Sequence, residues 1–219
     1  MRGKPVIMDA RRNLLLGYKA IFGLLGLSAV VTEIVTLATN GRLNSGNFFS
    51  YFTIESNVLA FVTLFLGVLI LATGRESRSF DLLRGAAALY MTITGIVFAI
   101  LLAPIPNGQF TAVPWDNIVL HYIIPVAMFL DWVLDRPRVS IPFRRAAVWI
   151  LFPIAYVVYS LVRGPIANWY PYPFLDPSTS SYVSVATITL ALTLFGLVLV
   201  WLLSRISRIT VLEKLVRKV

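Results

Sequence analysis

Residues Tyr51–Ala72 read YFTIESNVLAFVTLFLGVLILA, and Glu55 is the only charged side chain in this run. A helix needs about 20 mostly apolar residues to cross the hydrocarbon core of a bilayer, so the segment predicts a transmembrane helix. The same signal recurs along the rest of the chain. We predict six spans in all, at Leu14–Ala38, Tyr51–Ala72, Leu82–Ala103, Asn117–Leu134, Ala146–Val162 and Tyr182–Leu203.

The composition agrees with a membrane protein and excludes several other classes. The 219 residues are 58% hydrophobic and 13% charged, with a formal net charge of +9. Soluble domains average about 45–50% apolar and about 25% charged residues, so soluble, disordered and fibrous classes are excluded. In so apolar a chain the positive charge indicates loops on a membrane surface, not a nucleic-acid partner. The chain has no Cys and one His, which excludes thiolate and His-rich metal sites, and we expect no cofactor.

The positions of the basic residues predict the orientation of the spans. Most Lys and Arg residues lie in the N-terminal tail, in the second and fourth gaps between spans, and in the C-terminal tail. The positive-inside rule therefore predicts cytosolic N and C termini, with the first, third and fifth gaps outside. We predict an all-α polytopic membrane protein, a six-transmembrane-helix bundle formed by residues 1–204. Residues 205–219 alternate basic and apolar side chains at helical spacing, which predicts an amphipathic cytosolic tail on anionic lipid.

Three acidic side chains and the one His fall inside the predicted spans: Glu33, Glu55, Asp131 and His121. Such groups are costly in a bilayer, so each is a candidate functional residue. Glu33 and His121 both lie within a few helical turns of the predicted outer surface. Asp131 lies near the cytosolic end, where we expect a structural ion pair with a loop Arg.

Polar side chains on two predicted helices are spaced to share a face. Thr53, Ser56 and Asn57 stand at i, i+3 and i+4, and Asn117 and His121 stand at i and i+4. Two polar faces at one depth can converge on a pocket between helices, where bundles build their sites. Taken singly, these residues have ordinary explanations as well. A membrane Thr commonly bonds to a carbonyl of the preceding turn, and Asn and His often join helices.

Several runs appear in an order that is characteristic of one protein family. They are FSYFTIESN at 49–57, WDN at 115–117 with His121 and Pro125 after it, DW at 131–132, and WYPYPFLD at 169–176. Together they resemble the bacterial (Pr6Pr-type) branch of the androgen-induced-gene and FAR-17a-like family of six-span membrane proteins. The resemblance covers nearly the whole chain, and it implies a multi-pass protein of a bacterial inner membrane.

The resemblance also implies an activity. Animal members of this family hydrolyse fatty acid esters of hydroxy fatty acids with an intramembrane threonine and a histidine, which fall here on Thr53 and His121. His121 would take the proton of Thr53, an acyl-threonine would form, and water would release the acyl chain. The expected partners are a lipid ester substrate and membrane lipids.

Supporting roles in that reaction fall to nearby polar residues. Ser56 or Asn57 would donate to the oxyanion, and Glu33 or the amide of Asn117 would orient His121. The aromatic residues of the fifth gap would cap the pocket. Among them, Trp169, Tyr170 and Tyr172 are assigned to an outer aromatic belt.

Three other functions remain open at this stage. Glu33, Glu55 and Asp131 could form the relay of a small proton-coupled transporter, although they lie toward opposite membrane faces. His121 with Glu33 and Glu55 could bind a metal ion, although no motif spacing supports such a site. The protein could also be a non-catalytic membrane component. The sequence leaves the oligomeric state open.

Overall fold

The computed structural model describes residues 6–75, 77–106, 108, 110–137 and 139–216, and side chains from Ala10 to Ile209 within these ranges. Helices make up 81% of the described residues, which contain no strand. Among the described residues, six helices are long and apolar enough to cross a membrane, which confirms the predicted all-α fold with six spans. They are α1 Val6–Thr39, α2 Phe52–Thr73, α3 Arg78–Leu102, α4 Pro114–Leu134, α5 Phe143–Ala167 and α6 Tyr182–Val216.

Glycine, serine and proline residues set several helix boundaries. Gly41 and Gly74 follow α1 and α2 with φ angles of +66° and +67°, a conformation that glycine adopts without a Cβ clash. Ser77 caps α3, where its side chain accepts the N–H of Phe80 at 3.2 Å. Pro114 occupies the first turn of α4, where a missing N–H costs no helical hydrogen bond. These residues fix where α1 and α2 end and where α3 and α4 begin.

Two of the spans contain wider, π-helical turns. One is Phe98–Leu102 at the end of α3, and the other is Val119–Ile123 in the middle of α4. Pro125 follows the second turn and cannot donate the hydrogen bond that would close an α-helical turn on His121. Single π-turns of this kind occur frequently at functional sites.

The chain divides into two compact units. The first comprises Met1–Arg42 and Ser56–Asp135, so it holds α1, α3, α4 and all but the first turn of α2. The second comprises Leu43–Glu55 and Arg136–Val219. It holds α5, α6, the short helix Ser45–Phe48 and the first turn of α2.

A buried cluster of four charges joins three helices of the first unit. Lys19 of α1 pairs with Asp131 of α4 and lies 2.9 Å from the carboxylate of Asp135. Arg84 of α3 approaches Asp131 at 3.5 Å and Asp135 at 2.7 Å. The expected ion pair of Asp131 with a loop Arg is therefore wrong. Its partners belong to helices α1 and α3, because neighbouring helices carry opposite charges at the same level.

In the second unit, the last predicted span and the described part of the predicted tail, up to Val216, form one helix. α6 continues without a break to Val216, and Ser207 accepts the backbone N–H of Ile141 at 3.0 Å. The side chains beyond Ile209 lie outside the described residues, so the basic amphipathic surface of 205–219 stays a prediction. Apolar side chains on the membrane part of α6 lie on the protein surface: Leu190, Leu194 and Val198 are 61%, 55% and 60% exposed. Such a stripe fits contact with hydrocarbon.

Candidate active site

Thr53 lies in the first turn of α2 and belongs to the second unit. Its residue is 8% exposed. The backbone N–H of Thr53 donates to the hydroxyl of Tyr172 at 3.2 Å, and the two hydroxyl oxygens lie 3.3 Å apart. One phenol therefore contacts both the main chain and the side chain of the predicted nucleophile.

Two further tyrosines satisfy polar groups next to Thr53. The hydroxyl of Tyr156 accepts the N–H of Phe52 at 3.3 Å and donates to the carbonyl of Ser50 at 2.9 Å. The hydroxyl of Tyr159 lies 2.8 Å from that of Ser50. The first N–H groups of a helix have no helical acceptor, so tyrosine hydroxyls cap α2. This arrangement fixes the backbone that carries Thr53.

The sequence pattern assigns Tyr172 to the outer aromatic belt. In the structure its hydroxyl is also bonded to Thr53, so Tyr172 is part of the surroundings of the predicted nucleophile. Its ring is stacked on Phe174, with centroids 5.2 Å apart and 3° between the planes. Burial raises the pKa of Tyr172 to about 12, so it remains a neutral phenol at physiological pH. The neutral phenol can donate a hydrogen bond.

His121 lies in the π-turn of α4 and belongs to the first unit. Its residue is 5% exposed, and its ring is stacked on Phe98 with centroids 3.9 Å apart. The ring Nδ1 lies 3.1 Å from the backbone carbonyl oxygen of Asn117. A carbonyl only accepts, so Nδ1 carries the proton and the basic lone pair is on Nε2. The group at Nδ1 is thus the main-chain carbonyl of Asn117, whereas the sequence pattern favours its side-chain amide or Glu33.

Glu33 of α1 has a partner that the sequence pattern does not predict. Its two carboxylate oxygens accept the N–H of Ala112 at 2.9 and 2.8 Å, and its carboxyl group faces that of Asp116. Asp116 is fully buried in the first turn of α4. Glu33 and Asp116 thus bring two buried acidic side chains together, one from α1 and one from the start of α4.

The remaining candidate residues are distributed over both units. Asn57 is fully buried in α2 and donates through Nδ2 to the carbonyl of Leu120 at 3.2 Å. Ser56 is fully buried, and among the described residues its hydroxyl has no hydrogen-bond partner. Glu55 belongs to the second unit. One of its carboxylate oxygens is buried and has no hydrogen-bond partner among the described residues.

The described residues contain no group of three or more His, Asp or Glu side chains placed to hold a metal ion. Asp131, one of the three acids of the transporter hypothesis, is held in the buried ion cluster with Lys19 and Arg84. The second unit holds a buried threonine hydroxyl, and the first unit holds an imidazole with a defined tautomer.

Comparison with known proteins adds no family to these observations. No family model, curated protein or solved structure matches the chain. The function must therefore be argued from the residues and their surroundings.

Proposed function

We propose that the protein is an intramembrane hydrolase of lipid esters in which Thr53 is the nucleophile and His121 is the general base. The observation that carries the proposal is the hydrogen bond from His121 Nδ1 to the Asn117 carbonyl, 3.1 Å long. It puts the basic lone pair on Nε2, as a histidine that accepts the proton of a hydroxyl requires.

The reaction proceeds in two halves. Nε2 of His121 takes the proton of Thr53 while Oγ1 forms a bond to the ester carbon, and the carbonyl electron pair moves to oxygen. Collapse of this intermediate breaks the bond to the alcohol oxygen, which takes the proton back from His121. Water then attacks the acyl-threonine by the same steps, releases the fatty acid and restores Thr53.

The surroundings support a lipid substrate. Both proposed residues are buried in helices whose composition suits a bilayer, and an acyl chain is soluble in the same hydrocarbon. The resemblance to the androgen-induced-gene and FAR-17a-like family supports fatty acid esters of hydroxy fatty acids as the substrate class. It also supports residence in a bacterial inner membrane.

The test is hydrolysis of a fatty acid ester of hydroxystearic acid by the purified protein in detergent micelles, together with labelling by an alkyl fluorophosphonate. Thr53→Ala should abolish labelling and reduce turnover by at least about 100-fold, and His121→Gln should reduce turnover to a similar degree. The matched control is Thr63→Ala, which removes another buried threonine of the same helix. It should hydrolyse the ester at the rate of the parent protein.

Two results would contradict the proposal. Labelling or turnover that survives Thr53→Ala would move the nucleophile elsewhere. The double variant Thr53→Ala with His121→Gln tests whether the residues act together, because losses in a catalytic pair do not add. Fully additive losses in the double variant would mean that the two residues do not form a pair.

One observation favours a second candidate, a small proton-coupled transporter. Glu33 and Asp116 are two buried acidic side chains that face one another within the spans, and acids in membrane segments are typical of proton relays. Proteoliposomes that carry a pH gradient and a pH-sensitive dye test this function. Proton flux that Glu33→Gln abolishes would support it, while ester hydrolysis that survives Glu33→Gln without proton flux would favour the hydrolase.

A further inference from the structure

The hydroxyl of Tyr172 is placed to interact with more than the resting threonine. It lies 3.2 Å from the backbone nitrogen of Thr53 and 3.3 Å from Oγ1. Tyr172 belongs to the segment between α5 and α6, outside the spans. Its ring is held by the stacked Phe174 and by the edge of Tyr51, whose centroid is 5.9 Å away.

The chemistry of acyl transfer places negative charge close to this hydroxyl. When Oγ1 of Thr53 bonds to the ester carbon, the former carbonyl oxygen becomes an oxyanion on that same carbon. The oxyanion is thus two bonds from Oγ1, and a donor in contact with Oγ1 can reach it with a small movement. Preorganised donors at such an oxyanion supply a large part of the catalysis in hydrolases.

The donors that the sequence pattern suggests are less well placed. The amide of Asn57 donates to the carbonyl of Leu120 at 3.2 Å. Ser56 follows Thr53 by three residues, so it lies most of a helical turn further along α2. Tyr172, by contrast, contacts the hydroxyl of Thr53 itself.

We infer that Tyr172 is a catalytic residue whose phenol donates the hydrogen bond that stabilises the oxyanion during attack by Thr53. This inference rests on the proposed hydrolase function. Tyr172 keeps its proton throughout. The hydroxyl turns from Thr53 to the oxyanion as the carbonyl electron pair moves to oxygen, and it returns when the carbonyl re-forms.

The experiment compares Tyr172→Phe with the parent protein in hydrolysis of p-nitrophenyl octanoate. Loss of one oxyanion donor typically lowers kcat by about 10²–10³-fold, and we expect a loss in that range with little change in KM. Affinity for octylboronic acid, which forms a tetrahedral adduct with a nucleophilic hydroxyl, should fall in parallel with kcat/KM. The matched control is Tyr182→Phe, which removes the hydroxyl of a tyrosine that is 73% exposed in the same unit. It should retain the parent rate.

A second variant separates donation to the oxyanion from a structural role. Replacement of Tyr172 by trifluorotyrosine preserves the shape of the ring and makes the phenol more acidic. Once this phenol ionises it cannot donate, so the pH–rate profile should gain a descending alkaline limb that the parent lacks. An unchanged profile would overturn the inference even if Tyr172→Phe proved unstable.

The outcomes for this inference and for the proposed function are distinct. If Thr53→Ala is inactive while Tyr172→Phe keeps the parent kcat and boronate affinity, the inference is wrong and the hydrolase proposal stands. If Thr53→Ala hydrolyses the ester at the parent rate, the proposed function is wrong and the inference falls with it.

Discussion

The rings of Phe98 and His121 are stacked, with centroids 3.9 Å apart and 21° between their planes. Phe98 begins the π-turn of α3, and His121 lies within the π-turn of α4. Each wider turn changes which side chains of its helix face the neighbouring helix. The stack holds one face of the imidazole, while the Asn117 carbonyl holds Nδ1. Together they define the orientation of the proposed base.

Removal of the stacked ring should therefore impair turnover more than folding. Phe98→Leu keeps an apolar side chain but loses an aromatic contact of about 0.5–1.5 kcal/mol that orients His121. We expect kcat for ester hydrolysis to fall about 10-fold, since about 1.4 kcal/mol corresponds to a factor of 10. Tyr122→Phe is the control, because it keeps the ring that meets Phe98 edge-on at 5.5 Å. If Phe98→Leu and Tyr122→Phe were equally active, the stacking of Phe98 on His121 would have no role in turnover.

The close approach of α3 and α4 depends on Gly95. A Cβ at this position would lie 2.8 Å from Cβ of Pro125 and 3.3 Å from the backbone oxygen of His121. Gly95→Ala should therefore push α4 away and displace His121. Overpacking of this kind costs about 1–3 kcal/mol, which a lowered apparent Tm in detergent would report. We expect turnover to fall as well.

Gly17→Ala is the matched control for that substitution. Gly17 lies within α1, and a Cβ there would meet no atom within 4 Å. Since alanine favours a helix over glycine by about 1 kcal/mol, Gly17→Ala should leave Tm unchanged or raise it. If Gly95→Ala behaved in the same way, the contact of Gly95 with Pro125 would not limit the packing of α3 against α4.

The sequence could predict the spans because hydrophobic length and helix-ending residues are local signals. Glycines at 41 and 74 and the proline at 114 lie where the helices end or begin. The candidate pair could be named because Thr53 and His121 occupy positions of a recognisable pattern. Which residues face one another across helices depends on the rotation of each helix, and apolar spans contain little information about it.

Three partners show this limit. Asp131 pairs with Lys19, whose charge near the inner end of a span indicates orientation but no partner. Asp116 belongs to the WDN run without a predicted role, yet it faces Glu33. Tyr172 has the residue type and the position of a membrane-interface anchor, yet its hydroxyl bonds to Thr53. Opposite charges at matched depth could have revealed the first partner. The pairing of Tyr172 carries no comparable local signal.

The buried ion cluster predicts an asymmetric response to substitution. Lys19→Met leaves the carboxylate of Asp131 with only Arg84 near it, at 3.5 Å, among the described ion pairs. Breaking a buried pair from one side costs about 3–5 kcal/mol, because a charge is left uncompensated. We expect a large fall in apparent Tm for Lys19→Met.

Neutralising both charges should recover much of that loss. In the double variant Lys19→Met with Asp131→Leu no buried carboxylate is left unpaired at position 131, and an apolar pair of similar volume is often as stable as a buried ion pair. Thermal unfolding of the two single variants and the double variant forms a complete cycle. Additive losses would show that Lys19 and Asp131 contribute independently.

Asp135 should make the stability of the folded protein depend on pH in the acidic range. Burial alone would raise the pKa of Asp135, but Arg84 and Lys19 beside it hold the pKa below its ordinary value. A carboxyl group with a lowered pKa stabilises the folded state at any pH above its ordinary value of about 4. That contribution is lost progressively as the pH falls through this value toward the folded-state pKa. The contribution of Asp135 to apparent Tm should therefore be constant from about pH 7 to about pH 5 and fall below that.

Asp135→Asn isolates this contribution from those of the other acids. The substitution keeps the backbone carbonyl to which Arg84 also donates, so the loop should retain its path. At about pH 7 the variant should unfold at a lower temperature than the parent, because the ion pairs with Lys19 and Arg84 are gone. The difference between the two proteins should shrink as the pH is lowered below about 4, where Asp135 of the parent takes up its proton. A difference that stayed constant across this range would mean that the ionisation of Asp135 contributes nothing to folding.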